Sequence, residues 1–82
     1  MATDDDKLQY DRRELVETWL NIICERVNRG EWTPFLVNQF SIADDRGLLE
    51  VGGGGGVCYY FPDDDDIEYL YPMVSQVVKQ EG

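Results

Sequence analysis

Five consecutive glycines, residues 52–56, set the first constraint on this chain of 82 residues. A run without side chains loses the most entropy on ordering and has nothing to pack, so a helix or strand cannot profit from passing through it. Regular structure should therefore stop at Val51 and restart at Val57. The flanking segments, "LLEV" at 48–51 and "VCYYF" at 57–61, are rich in strand formers, which makes the glycines a hairpin loop between two strands. A phosphate-cradling loop is the competing reading, but the Gly-Lys-Ser/Thr that it needs is missing. The only lysines are Lys7 and Lys79, and Asp63, Asp64, Asp65 and Asp66 follow closely. A nucleotide polyphosphate would meet repulsion there.

The remaining elements follow from periodicity and end signals. Asp11 and Glu14 have capping-box spacing, and Tyr10 is placed to staple onto Leu15. Leu15, Val16, Trp19, Leu20, Ile23 and Val27 recur at helical steps. With Arg26 and Arg29 near the end and Gly30 as a stop, these features predict a helix over 11–29, preceded by a loose acidic arm over 1–9. Residues 33–43 admit two readings. Thr33-Pro34 is a helix opening, whereas Leu36, Phe40 and Ile42 share one side of a strand, and the strand is preferred. "DDRG" at 44–47 reads as a turn. In residues 64–80 the apolar positions Ile67, Leu70, Tyr71, Val74, Val77 and Val78 repeat helically, but Pro72 interrupts them. Either one kinked helix runs from 64 to 80, or "IEYLY" is a further strand and a helix opens at Pro72. The expected fold is α+β over residues 10–82 as a single domain: an N-terminal helix, a small antiparallel sheet of three strands, or four, and a C-terminal helix.

A chain this short buries only about 60% of its unfolded surface, which argues against a large catalytic cleft. It contains no histidine, which removes the usual general base and most zinc sites. The two cysteines, Cys24 and Cys58, form no C-x-x-C pair and suit a reducing cytoplasm, and Cys58 among its aromatics reads as a packed core residue. No apolar run reaches the roughly 20 residues of a membrane span. The four aspartates lack the register of an EF-hand, so neither metal nor cofactor is expected. One or two of them are accounted for at a helix N-terminus, leaving the rest as surplus charge. An enzyme is not expected.

Charge is the feature left over. Seventeen acidic against seven basic residues give a net −10, and residues 41–82 alone hold nine acids against two bases. Direct nucleic-acid binding is excluded by sign, while encounter with basic partners is favoured. The face read as partner-binding comprises Asp44, Asp45, Glu50, Tyr59, Asp63, Asp64, Asp65, Asp66, Glu68 and Tyr69, carboxylates with tyrosines that can anchor an interface. An acidic strand advances about 3.3 Å per residue and a DNA strand about 3.4 Å per phosphate, so an extended acidic ridge can imitate a nucleic-acid backbone.

In charge, size and element order over residues 10–80, the chain resembles the small acidic phage-encoded anti-CRISPR and anti-restriction proteins, and is similar in character to uracil-DNA glycosylase inhibitors. That resemblance implies a cytoplasmic inhibitor, monomeric or homodimeric, that blocks the nucleic-acid-binding surface of a host nuclease or ribonucleoprotein complex. Two other readings stand beside it. One is an adaptor or regulatory module that binds a basic partner with the same face. The other is a salt-adapted protein whose acids serve solvation.

Overall fold

The computed structural model describes residues 4–52 and 54–81, with side chains described over 11–52 and 54–78. Three helices and a two-stranded sheet follow in the order α1 (Asp4–Asn28), α2 (Pro34–Asp45), β1 (Leu49–Val51), β2 (Val57–Tyr59) and α3 (Asp64–Glu81). The class is α+β. These elements group into two compact units, one formed by residues up to Trp19 together with those from Pro62 onward, the other by Leu20–Phe61. The chain of α1 contributes to both.

Helix α1 begins at Asp4, not at Asp11. The physical reason lies in "DDDKLQ": acids in a first turn complement the helix dipole, and Lys, Leu and Gln are good helix formers. The expected loose arm is thus helical from Asp4, while residues 1–3 lie outside the described residues, as do the side chains of the Tyr10 staple. The apolar face is as the spacing predicts, with Val16, Trp19, Leu20, Ile23 and Val27 buried and Cys24 beside them. The helix closes at Gly30, whose N–H donates to Val27 O at 2.9 Å while Glu31 N–H donates to Arg26 O at 3.0 Å.

Residues 34–45 form helix α2, which overturns the preferred strand reading. Thr33 caps it, its Oγ1 accepting from Leu36 N–H at 3.1 Å, and Pro34 occupies a first-turn position where its missing N–H costs nothing. The buried set is Leu36, Gln39 and Ala43, a helical spacing. The period of two through Leu36, Phe40 and Ile42 was coincidental, since Phe40 and Ile42 are only half-buried. Gly47, with φ +73°, then adopts the left-handed conformation that lets its N–H reach Asp44 O at 2.9 Å and Leu48 N–H reach Ala43 O at 3.1 Å.

The sheet has two antiparallel strands rather than three or four, in the register Leu49 with Tyr59, Glu50 with Cys58 and Val51 with Val57. Hydrogen bonding continues past the strand ends, Tyr60 N–H to Leu48 O at 2.8 Å and Gly52 N–H to Gly56 O at 2.7 Å, so the glycines close a hairpin as expected. The segment "IEYLY" belongs to α3, a single helix that runs through Pro72. Pro72 sits on the exposed side while Ile67, Leu70 and Val74 are buried. Its missing donor therefore leaves a carbonyl that water can reach.

Candidate acidic interface

The block 63–66 opens α3, and its four aspartates do different things. Asp63 stands at the cap: its carbonyl accepts from Ile67 N–H at 2.9 Å, and its own N–H donates to Asp66 Oδ2 at 3.3 Å. This is the back-bond of a capping box, with Asp in the place usually held by Glu. Asp64 Oδ1 takes Arg13 Nη2 at 2.9 Å, and the same guanidinium donates through Nη1 to Pro62 O at 3.1 Å. Arg13 thus ties α1 to the entry of α3. Its neighbour Arg12 lies over the ring of Tyr71, 5.0 Å from the centroid, a cation–π contact that leaves Arg12 Nε buried without a hydrogen bond.

Asp65 makes no side-chain bond among the described residues and serves the helix only through the dipole, in its first turn. One turn on, Glu68 shares its side of the helix, and Tyr69 stands four residues from Asp65 with 68% of its surface exposed. Among the described residues neither Asp65 nor Glu68 has a cation opposite it. Asp63, Asp64, Asp65, Glu68 and Tyr69 are exposed and Asp66 is half-buried. An extended acidic ridge is not what forms, however. On a helix successive residues rise about 1.5 Å and rotate away, so only carboxylates three or four apart align, about 5.4 Å per turn. The match to phosphate spacing that a strand would offer is absent at residues 64–66.

The other predicted residues belong to the Leu20–Phe61 unit. Asp44 and Asp45 are exposed at the C-terminal end of α2, with no basic residue in its last turn. The dipole disfavours anions there, by about 0.3–1 kcal/mol each. Glu50 is exposed on β1, and its carboxylate accepts the phenol of Tyr60. That hydrogen bond, followed by desolvation and the nearby charges of Glu50 and Cys58, pushes Tyr60 above the usual tyrosine range. Tyr59 is half-buried on the side of Val57, edge-on to Phe61 at 6.0 Å. It is less open than Tyr69, the other tyrosine of the expected face.

No protein-family model, curated protein or solved structure matches this chain.

Three exposed groups were not foreseen. Cys58, expected in the core, is exposed, because the face of β2 that packs is that of Val57 and Tyr59. Phe61 is 73% exposed. Trp32 is half exposed and meets Phe40 edge-on at 5.5 Å. A three-residue strand gives too few alternations to say which face is inward, so only the alternation itself was readable. Among the described residues no group of three or more His, Cys, Asp or Glu converges on a metal position, and no helix is long and apolar enough to cross a membrane.

Proposed function

We propose that this chain is a non-enzymatic acidic binding protein that inhibits its partner by occupying a basic, nucleic-acid-binding surface. The observation that carries the reading is the outer face of the first turns of α3. There Asp65 and Glu68 stand a turn apart, with no cation opposite them among the described residues, beside the exposed ring of Tyr69. The helix dipole supports Asp65 in the first turn but gives little to Glu68 beyond it, so the pair exceeds what the helix end needs. Neighbouring acids repel, and Asp44 and Asp45 sit at the end of α2 that repels them.

Arginines and lysines that grip phosphates accept carboxylates in the same fork and point-charge geometries. Tyr69 offers a flat surface on which a guanidinium or a base-stacking side chain can rest. The face is held in advance of binding by the Asp63–Asp66 back-bond and the Arg13 clamp, so little order remains to be gained on docking. A host nuclease or guide-RNA effector in the cytoplasm is the partner class, and a phage or mobile element the origin that suits it. The helical spacing of the carboxylates favours a second reading, an adaptor that takes a basic helix or peptide, because side chains on a facing helix recur with the same pitch.

Capture from bacterial lysate tests the proposal. Immobilised wild type and a variant carrying Asp63→Asn, Asp64→Asn, Asp65→Asn and Asp66→Asn are compared, with elution by duplex DNA or guide RNA at fixed ionic strength. Release of a nucleic-acid-handling protein by those competitors, with capture lost in the variant, is the expected result. A captured partner indifferent to nucleic acid transfers the case to the adaptor, and equal capture by the variant removes the acidic face from the account.

A further inference from the structure

The two cysteines, unremarkable in the sequence, line one open groove of about 400 Å³ in the Leu20–Phe61 unit, between the α1 residues around Cys24 and Asn28 and the β2 residues Val57, Cys58 and Tyr59. A double hydrogen bond fixes this arrangement. Asn28 Nδ2 donates to Val57 O at 3.0 Å, and Asn28 Oδ1 accepts from Val57 N–H at 2.7 Å. The side-chain amide thus behaves as a neighbouring strand would, holding β2 against α1. Cys24 lies one helical turn before Asn28 and Cys58 directly follows Val57, so the bracket delivers both thiols to the same groove.

Their environments differ in a way that assigns roles. Cys58 is exposed and held only by a weak S–H···O contact to Glu50 O at 3.7 Å. Cys24 is 7% exposed, and burial first, then the nearness of Cys58, pushes its thiol up. A reagent in solution meets Cys58 first, while Cys24 waits within the same groove.

We propose that Cys24 and Cys58 form a reversible dithiol–disulfide site, with Cys58 the attacking thiol, Cys24 the resolving thiol and a low-molecular-weight disulfide such as oxidised glutathione the oxidant. The Cys58 thiolate attacks one sulfur of oxidised glutathione, forming a mixed disulfide and releasing the first glutathione as thiol. Cys24 then loses its proton and attacks the Cys58 sulfur, forming the Cys24–Cys58 bond and expelling the second glutathione, which takes up that proton. Two protein thiols are oxidised and one glutathione disulfide is reduced to two thiols. The product staples α1 to β2 beside the Asn28 bracket. Reduced glutathione in excess reverses it, as suits the cytoplasm in which free cysteines are expected. The site is independent of the acidic face of α3.

The test is treatment of the folded full chain with oxidised glutathione, read by intact mass, non-reducing electrophoresis and peptide mapping. The expected product is a monomer about 2 Da lighter in which the Cys24 and Cys58 peptides are linked, restored by reduced dithiothreitol. Cys24→Ser should stop at a stable glutathione adduct on Cys58, and Cys58→Ser should react at least ten-fold more slowly than wild type. Brief alkylation of untreated wild type, which needs no variant to fold, should label Cys58 at least ten-fold faster than Cys24. Wild type that halts at the adduct, that forms only disulfide-linked dimers, or that labels both cysteines equally overturns the proposal.

Discussion

Replacing Asn28 by Ala removes both hydrogen bonds that hold Val57 and creates no apolar cavity, since Asn28 is exposed. Each bond contributes about 0.5–1.5 kcal/mol net, and because this site is open to water the freed Val57 groups are rehydrated instead of being stranded. The low end of the range applies, giving about 1–2 kcal/mol for the pair. For a chain of this size 1 kcal/mol moves Tm by about 4–8 °C, so a fall of roughly 4–16 °C is expected in thermal unfolding. A second readout separates this cause from general loosening. The Val57 N–H has Asn28 Oδ1 as its acceptor, and its hydrogen exchange should accelerate by about ten-fold for every 1.4 kcal/mol by which local opening becomes easier. Amides in the second half of α3, in the other unit, should respond much less. Unchanged exchange at Val57 in a folded Asn28→Ala protein would refute the bracket and with it the placement of the two thiols.

Other perturbations probe the remaining features. Arg13→Gln loses an ion pair whose two side chains are 39% and 89% exposed, worth at most about 1 kcal/mol, plus the bond to Pro62 O, so urea unfolding should show a total loss of about 0.5–1.5 kcal/mol that shrinks in high salt. Gly47→Ala meets no atom within 4 Å but is forced to keep φ +73°, costing about 1–2 kcal/mol. Gly54→Ala is equally unobstructed with no such φ, and should be neutral or stabilise by up to about 1 kcal/mol in the same denaturation assay. Tyr60, raised by its bond to Glu50, should ionise above free tyrosine in an ultraviolet titration, and Glu50→Gln should bring it down. With the folded value raised above the unfolded one, about 10, the stabilising contribution of this phenol is fully present below that pH and is lost as pH climbs through the folded value.

What could be read from the sequence was whatever a single element decides for itself. The buried face of α1 was legible because Val16, Trp19, Leu20, Ile23 and Val27 repeat over three turns, and the hairpin because only glycines separate its strands. Residues 33–43 are ambiguous because six apolar side chains crowded into eleven positions satisfy a period of two and one of 3.6 equally well. The Thr33-Pro34 opening carries the decisive information, a cap and a first-turn proline that a strand has no use for. The acid block was legible as a block, but the division of labour within it was not, since Arg13 lies 51 positions from Asp64 and pairing at that range leaves no local trace. The same distance problem hid the shared groove of Cys24 and Cys58.

The division of the chain has a consequence for its birth. The Leu20–Phe61 unit is contiguous, whereas the other must wait for α3, whose 18 residues take roughly one to four seconds to synthesise at about 5–20 residues per second. Whatever part of the chain has emerged, Val16 and Trp19, near its start, wait for the residues from Pro62 onward before their own unit can close. For those seconds the nascent protein shows a greasy stripe that the finished one hides, and a trigger-factor-like holdase gripping the ribosome-bound chain should find it there and nowhere later.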